Sequence, residues 1–149
     1  MDRVKGSDGC GASNCKTCLN VQKTNTFKSS VTGETFHINH GLGCGDKCLI
    51  YLITCKVCGI QYVGQTRYDF RYRWSNYKKD SRKAARGEEH MQASFHSHFL
   101  SEGHSGVETD GEITLIDKTD ASSPLVREQF WIWKLKTLHL EGLNVVESV

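Results

Sequence analysis

Seven cysteines in a chain of 149 residues constrain this sequence more than any other feature. Five of them form two closely spaced groups, Cys10, Cys15 and Cys18 near the start and Cys55 and Cys58 further on. In a reducing compartment such groups are more often metal ligands than disulfides, and the odd total argues against a complete disulfide framework. The sequence therefore predicts bound zinc rather than covalent cross-links.

The rest of the composition is ordinary, with 38% hydrophobic and 24% charged residues. No charged-then-apolar leader opens the chain, and its longest apolar run, residues 49–53, is too short to span a bilayer. We therefore expect an intracellular protein in a reducing compartment with no membrane partner. Its length is typical of one domain with an appendage.

A basic stripe lies between residues 67 and 86, which contain eight basic and two acidic residues, although the whole chain has a net charge of only +2. Aromatic residues alternate with these charges, as contact with a phosphate backbone requires. A solvated helix face would give the same pattern. The residues expected to contact DNA are Arg67, Arg71, Lys78, Lys79, Arg82 and Lys83.

The hydrophobic pattern predicts an α/β fold with a small central antiparallel sheet flanked by helices. Residues 1 to about 45 are rich in Gly, Ser, Thr, Asn and Cys, so we expect loops and short strands that a metal organises. Apolar runs at 49–53 and 60–63 predict a hairpin with Cys55 and Cys58 at its tip, and residues 112–118 predict a third strand. We therefore divide the chain into a zinc-binding extension, 1–47, and a main domain, 48–149.

Three helices are expected to flank this sheet. Asp69 is suited to cap a helix that runs to about residue 85, on which Arg73 and Tyr77 lie near one face. A second helix should cover residues 90 to 100, and a third should begin at Pro124 and end near Leu138.

The third predicted helix carries a misplaced charge. Glu128 lies within an apolar arc, where a carboxylate is costly unless it binds a cation. The nearby aromatic residues Phe130, Trp131 and Trp133 are expected in the core rather than on a base-stacking surface. Glu128 is therefore a candidate functional residue.

Several of these residues resemble the GIY-YIG nuclease family in their order and spacing. The matching elements are Ile50-Tyr51, Tyr62-Val63-Gly64, Arg73 with Tyr77, and Glu128, although Leu49 stands where the family has glycine. The cysteine pair between the two half-motifs, with His98, His104, Arg127 and Gly142-Leu143-Asn144, is similar to the endonuclease of Penelope-like retroelements. This resemblance spans residues 10 to 144.

The resemblance implies a nuclear DNA endonuclease that nicks its substrate and leaves a 3′ hydroxyl for target-primed synthesis by the reverse transcriptase of the same polyprotein. Tyr51 and Tyr62 would position or deprotonate the water, and Arg73 would clamp the phosphate. Glu128 would hold one Mg²⁺ or Mn²⁺. Tyr77 would contact the phosphate, and Asn144 would orient a ligand or the phosphate. The alternatives are an inactive zinc-dependent nucleic-acid-binding module and a structure-selective nuclease.

The cysteine and histidine groups predict two structural zinc sites, each with four protein ligands. The first is expected to combine Cys55 and Cys58 with His98 and His104, leaving His90 and His96 as surface histidines. The second is expected to contain Cys10, Cys15, Cys18 and Cys44. Its rival uses Cys15, Cys18, His37 and His40, whose histidine pair is more closely spaced than usual. The seventh cysteine, Cys48, is expected to be a buried strand thiol.

Overall fold

The computed structural model describes residues 4–12, 14–89, 92–120 and 122–145. In chain order its strands are β1 (Gly6–Ser7), β2 (Thr26–Lys28), β3 (Thr35–His37), β4 (Gly41–Leu42), β5 (Leu49–Cys55), β6 (Gln61–Thr66) and β7 (Gly111–Lys118). The helices are α1 (Phe70–Ala85), α2 (Ala93–Phe99), α3 (Val107–Asp110) and α4 (Pro124–Leu135), with a 3-10 turn at Lys16–Leu19. No helix in the described part of the chain is long and apolar enough to cross a membrane.

The centre of the fold is a three-stranded antiparallel sheet in the order β6, β5, β7. Residues 49–53 of the middle strand are all buried, as their uninterrupted apolar run requires. The hairpin predicted for β5 and β6 is confirmed, with its strands extended to Cys55 and Thr66. A register shift between β5 and β7 lies at Ile50 and Tyr51.

Helix α1 begins and ends where the sequence predicts. The Asp69 carboxylate accepts a hydrogen bond from the Tyr72 backbone N–H at 2.9 Å, which satisfies one of the free donors of the first turn. Phe70, Trp74 and Tyr77 are buried on one face of this helix. Helix α2 begins at residue 93, later than expected; the predicted start at residue 90 lies outside the described residues.

Helix α4 ends at Leu135, so the expected extension to Leu138 is wrong. Lys136 adopts the left-handed conformation, with φ of 58°, that often terminates a helix. Only one of the three aromatic residues expected in the core, Trp131, is buried. Phe130 and Trp133 are 39% and 62% exposed, because α4 packs on β5 and β6 through its other face.

Asp117 on β7 holds α4 in place. Its Oδ2 accepts hydrogen bonds from Arg127 Nε at 2.9 Å and from Trp131 Nε1 at 2.8 Å. Asp117 is buried, and a buried carboxylate is stable only when paired in this way. This network therefore fixes the position of the helix that carries the candidate carboxylate, Glu128.

The N-terminal extension consists of short strands and loops, as predicted, and covers the outer edge of β7. Gln22 N donates to Ile113 O at 2.7 Å, and Leu115 N donates to Ser7 Oγ at 3.1 Å. Asn20 Nδ2 donates to Gly111 O at 3.0 Å. These contacts satisfy backbone groups of a strand that would otherwise be an open edge.

Candidate active site and cysteine clusters

Tyr51, Arg73 and Tyr77 meet in the interior between β5 and α1. The two phenol oxygens of Tyr51 and Tyr77 are 2.8 Å apart, and Arg73 Nε donates to the Tyr51 oxygen at 3.1 Å. The Arg73 guanidinium also lies over the Tyr77 ring, 4.7 Å from its centroid. Three residues that the sequence predicted to act together are therefore in direct contact.

Sheet register places Tyr62 on the same face as Tyr51. Tyr62 pairs with Ile53 and Gly64 pairs with Tyr51, and paired residues of an antiparallel sheet share a face. The Tyr51 ring crosses directly over Gly64, where an added Cβ would lie 2.5 Å from the phenol oxygen. Gly64 is therefore needed for Tyr51 to reach Arg73.

Tyr62 lies at the point where β6, α2 and α4 meet. Its ring packs on Phe95, 4.9 Å between centroids, and its oxygen accepts a hydrogen bond from Gln92 Nε2 at 2.5 Å. Glu128 is half-buried and close enough for its charge to raise the pKa of the Tyr62 phenol. The structure thus brings all of Tyr51, Tyr62, Arg73, Tyr77 and Glu128 to one region.

Both candidate water-binding phenols keep their protons at neutral pH. Burial raises the pKa of Tyr51 well above its usual value, and Tyr77 adds to this effect, while Arg73 opposes it. Burial likewise raises the pKa of Tyr62, whose hydroxyl end is enclosed although the residue as a whole is half-buried. These phenols are therefore hydrogen-bond donors rather than ready-made bases.

Arg73 supplies a permanent positive charge to this cluster. Burial disfavours its charge, but the phenol oxygens of Tyr51 and Tyr77 more than offset that effect and raise the pKa of the guanidinium above its ordinary value. A half-buried guanidinium with donors to spare is suited to bind the non-bridging oxygens of a phosphate.

The Glu128 carboxylate supplies the acidic oxygen that a hard divalent cation prefers. Mg²⁺ is commonly held by only one or two carboxylates together with waters and substrate phosphate oxygens. A single carboxylate near Tyr62, in the region that also holds the Arg73 guanidinium, therefore fits such an ion.

Asn144 is buried, and its side chain bonds to the Val63 backbone and to the Thr137 hydroxyl. Its Oδ1 accepts from Val63 N at 2.8 Å and from Thr137 Oγ1 at 2.7 Å, and its Nδ2 donates to Val63 O at 2.8 Å. All of these bonds are made within the protein, and none of them is the contact with a ligand or phosphate that the sequence predicts. Asn144 instead ties the segment after α4 to the strand that carries Tyr62.

The four N-terminal thiols form one cluster, as the first assignment predicts. The Sγ atoms of Cys10, Cys15, Cys18 and Cys44 lie within 4.8 Å of one another, and three pairs are 3.6 Å apart. Tetrahedral zinc–thiolate geometry gives about 3.8 Å between sulfurs. Hydrogen bonds from the Ala12 backbone and from Cys44 lower the pKa of Cys10 to about 6, which favours the thiolate form that metals bind.

The rival assignment with His37 and His40 does not match this cluster. Both histidines are exposed, and neither belongs to a group of metal-binding side chains in the described residues. His40 Nε2 instead lies 3.8 Å from Asp117 Oδ1. The structure favours the four-cysteine assignment.

The second cluster joins the β5–β6 hairpin tip to α2. The donor atoms of Cys55, Cys58, His98 and His104 lie within 4.8 Å of one another, and Cys58 Sγ is 3.3 Å from His98 Nε2. Burial lowers the pKa of His98, so its imidazole is neutral as a metal ligand must be. Both predicted ligand sets are therefore assembled with zinc-compatible geometry.

Two expectations for the remaining residues are wrong. His96 is fully buried beside Phe95 and Tyr77 rather than on the surface, because it lies on the inner face of α2. Cys48 is half-exposed and precedes β5 with φ of 56°, and its thiol contacts Arg67 O at 3.9 Å. His90 lies outside the described residues.

The predicted DNA-binding residues do not all face solvent in the same way. Arg67, Lys79 and Arg82 are exposed and Lys78 and Lys83 are half-exposed, with Arg82 3.5 Å from Glu108. Arg71 is also exposed, but it lies beside the thiols of Cys44 and Cys10, which raise the pKa of its guanidinium. Its backbone N–H also donates to Cys44 O at 3.0 Å. Arg71 therefore links the thiol cluster to α1.

The fold and site together define a small α/β catalytic domain with phenols, a guanidinium and a carboxylate in one region. The family model of the GIY-YIG catalytic domain matches residues 47–141, and the chain belongs to this family. The chain is also similar to a solved structure titled "Structure of the Catalytic Domain of Homing Endonuclease I-TevI". That likeness has 26% identity and a TM-score of 0.53, and covers 68% of this chain and 100% of the other. A comparison with curated proteins found no match.

Sequence reasoning missed two residues that shape the site and gave a third, Arg71, only a role in DNA binding. Gln92 bonds to Tyr62, Asp117 anchors α4, and Arg71 joins the thiol cluster. The apolar neighbours of Asp117 along β7 were a signal, since an acid in a buried strand needs donors. Gln92 lies between elements, and its position gave no comparable signal.

Proposed function

We propose that this chain is the endonuclease of a Penelope-like retroelement, which nicks DNA in a divalent-metal-dependent reaction and leaves 3′ hydroxyl ends for target-primed reverse transcription. Membership of the GIY-YIG family and similarity to the catalytic domain of a homing endonuclease support the coarser statement that the chain is a DNA endonuclease. The observation that carries the proposal is the contact among Tyr51, Tyr77 and Arg73, with Tyr62 and Glu128 beside them.

Hydrolysis of a phosphodiester needs a positioned water, neutralisation of charge on the phosphate and help for the departing 3′ oxygen. In our proposal the hydroxyls of Tyr51 and Tyr62 hold the water through hydrogen bonds, in keeping with their raised pKa values. Arg73 binds the non-bridging oxygens, and Tyr77 hydrogen-bonds Tyr51 and adds a contact to the phosphate. Water attacks phosphorus and forms the new P–O bond while the bond from phosphorus to the 3′ oxygen breaks. The proton that the water loses balances the one that the 3′ oxygen gains, and the products are a 5′ phosphate and a 3′ hydroxyl.

Glu128 is the residue proposed to hold Mg²⁺ or Mn²⁺. When bound, the ion would withdraw charge from the leaving oxygen. Asn144 serves this site by fixing the backbone of Val63, next to Tyr62. It is proposed as a positioning residue rather than a phosphate ligand.

Two zinc ions are proposed to be structural, since each donor set provides four protein ligands and leaves no position for water. One would hold the extension, residues 1–47, in its fold immediately before the catalytic domain, 48–149, and the other would hold α2 against the hairpin tip. DNA contacts are proposed for Arg67, Lys78, Lys79, Arg82 and Lys83. The reverse transcriptase of the same element is the proposed partner, and the nucleus is the proposed compartment.

The test is nicking of supercoiled plasmid in Mg²⁺ by the wild type, Arg73→Ala and Glu128→Gln, with Glu141→Gln as a matched exposed control. Both site variants are expected to slow nicking at least about 100-fold, as removal of one preorganised charge does in other enzymes. The control should nick at the wild-type rate, and a DNA polymerase should extend the nick without prior phosphatase treatment.

A wild type that binds DNA without nicking it would instead support the inactive binding module. Nicking restricted to four-way junctions would support a structure-selective nuclease. A nick that polymerase cannot extend would contradict the proposed 3′ hydroxyl and hence the role in target-primed synthesis.

A further inference from the structure

Gln92 directly precedes α2 in an unusual backbone conformation. Its φ of 59° and ψ of 51° are left-handed, a region that residues other than glycine rarely adopt. Its carbonyl oxygen accepts a bond from His96 N at 3.1 Å, but its side chain does not cap the helix. The side chain instead donates from Nε2 to the Tyr62 oxygen at 2.5 Å.

The Tyr62 oxygen is thus held from a defined direction. The amide nitrogen of Gln92 can only donate, so the Tyr62 hydroxyl must direct its own proton to a different acceptor. An amide does not titrate, which means that this restraint persists at every working pH.

The first turn of α2 also packs against two of the phenol rings, those of Tyr62 and Tyr77. Phe95 packs on Tyr62 at 4.9 Å and on Tyr77 at 5.1 Å between ring centroids. Further along, His98 belongs to the thiol and imidazole set that ties α2 to the hairpin tip. Gln92 therefore lies on an element fixed at both ends relative to Tyr62.

We propose that Gln92 is a positioning residue for DNA cleavage, which acts through Tyr62 by fixing the orientation of the phenol that holds the attacking water. This inference rests on the proposed function of the site. It adds a residue that belongs neither to the family motifs nor to the metal-binding sets.

The kinetic test is a double-mutant cycle measured by single-turnover cleavage of a labelled duplex. Gln92→Ala is expected to slow cleavage about three- to tenfold, the effect of one hydrogen bond, with unchanged DNA affinity. In a Tyr62→Phe background the same change should alter the rate less than about twofold, since the cycle isolates the pair. Gln92→Glu should also be slow because a carboxylate accepts the phenol proton, and exposed Gln129→Ala should match the wild type.

An equal loss in both backgrounds would overturn the proposal, since Gln92 would then act by a route other than Tyr62. A second measurement needs no substrate: the ¹³Cζ chemical shift of Tyr62, assigned by its absence from Tyr62→Phe. It should move in Gln92→Ala and not in Gln129→Ala. An unmoved shift would disprove the contact, whereas a moved shift in a protein that does not cleave DNA would count against the nuclease proposal alone.

Discussion

The hydroxyl oxygens of Tyr51 and Tyr77 lie 2.8 Å apart, in a region where Tyr51 is fully buried. One of the two must donate to the other, so the pair is stable only while it retains a proton. Arg73 Nε completes the arrangement by donating to the Tyr51 oxygen. This relationship makes both the stability and the chemistry of the domain depend on protonated phenols.

Alkaline pH is therefore expected to destabilise the fold through Tyr51. Its native pKa is raised, so above the unfolded value of about 10 the unfolded chain loses a proton that the native chain keeps, and stability falls as pH rises. Linkage gives about 1 kcal/mol for this phenol between pH 10 and 11. Guanidinium unfolding should show a shallower pH dependence for Tyr51→Phe than for the wild type, and identical slopes would contradict this account.

Gly64→Ala is expected to displace the Tyr51 phenol. The added Cβ would lie 2.5 Å from its oxygen, so we expect a loss of about 1–3 kcal/mol in unfolding free energy, typical of overpacking, and at least tenfold slower cleavage. In Gly43→Ala the new Cβ would make only ordinary contacts of 3.7 Å, and both properties should be unchanged. Wild-type behaviour of Gly64→Ala would show that Tyr51 does not need this close approach.

Asp117→Asn should loosen the attachment of α4 to β7. The buried carboxylate accepts from Arg127 and Trp131, and its neutralisation should lower the unfolding free energy by about 2 kcal/mol. Glu112→Gln, a charge removal elsewhere on the same strand, should have a much smaller effect. Equal denaturation midpoints for the two variants would rule out an anchoring role for Asp117.

Metal analysis of the purified protein is expected to find two zinc ions per chain. Cys44→Ser and Cys58→Ser should each reduce the content to one, because each removes a ligand from a different set. Cys48→Ser provides a matched control and should retain both ions. If the wild type contained a single zinc that only Cys58→Ser removed, the site of Cys10, Cys15, Cys18 and Cys44 would be abandoned.

The predictable part of this molecule is the part with strong local signals. The cap at Asp69, the proline at the start of α4 and the cysteine pair in the hairpin all act over a few residues, and the structure has them where they were expected. The sequence predicts the end of α4 too late because no glycine or proline marks it. Lys136, rather than a glycine, adopts the left-handed conformation that ends the helix.

The features that could not be predicted from the sequence depend on contacts between segments that are distant along the chain. His96 is buried because α2 turns that face inwards, a choice set by packing on Tyr77 rather than by the histidine-rich sequence around it. Asn144 bonds to Val63 across 81 positions, and Arg71 reaches cysteines on the extension. Single residues give no indication of such pairings until the fold brings them together.

The central claim is that the phenol and guanidinium cluster performs phosphodiester hydrolysis, and Tyr51→Phe tests it most directly because only one oxygen atom is removed. Single-turnover cleavage of a duplex should be measured alongside DNA affinity by fluorescence anisotropy. We predict a rate at least about 100-fold lower with an affinity within about twofold of the wild type. Cleavage by Tyr51→Phe at the wild-type rate would contradict the claim.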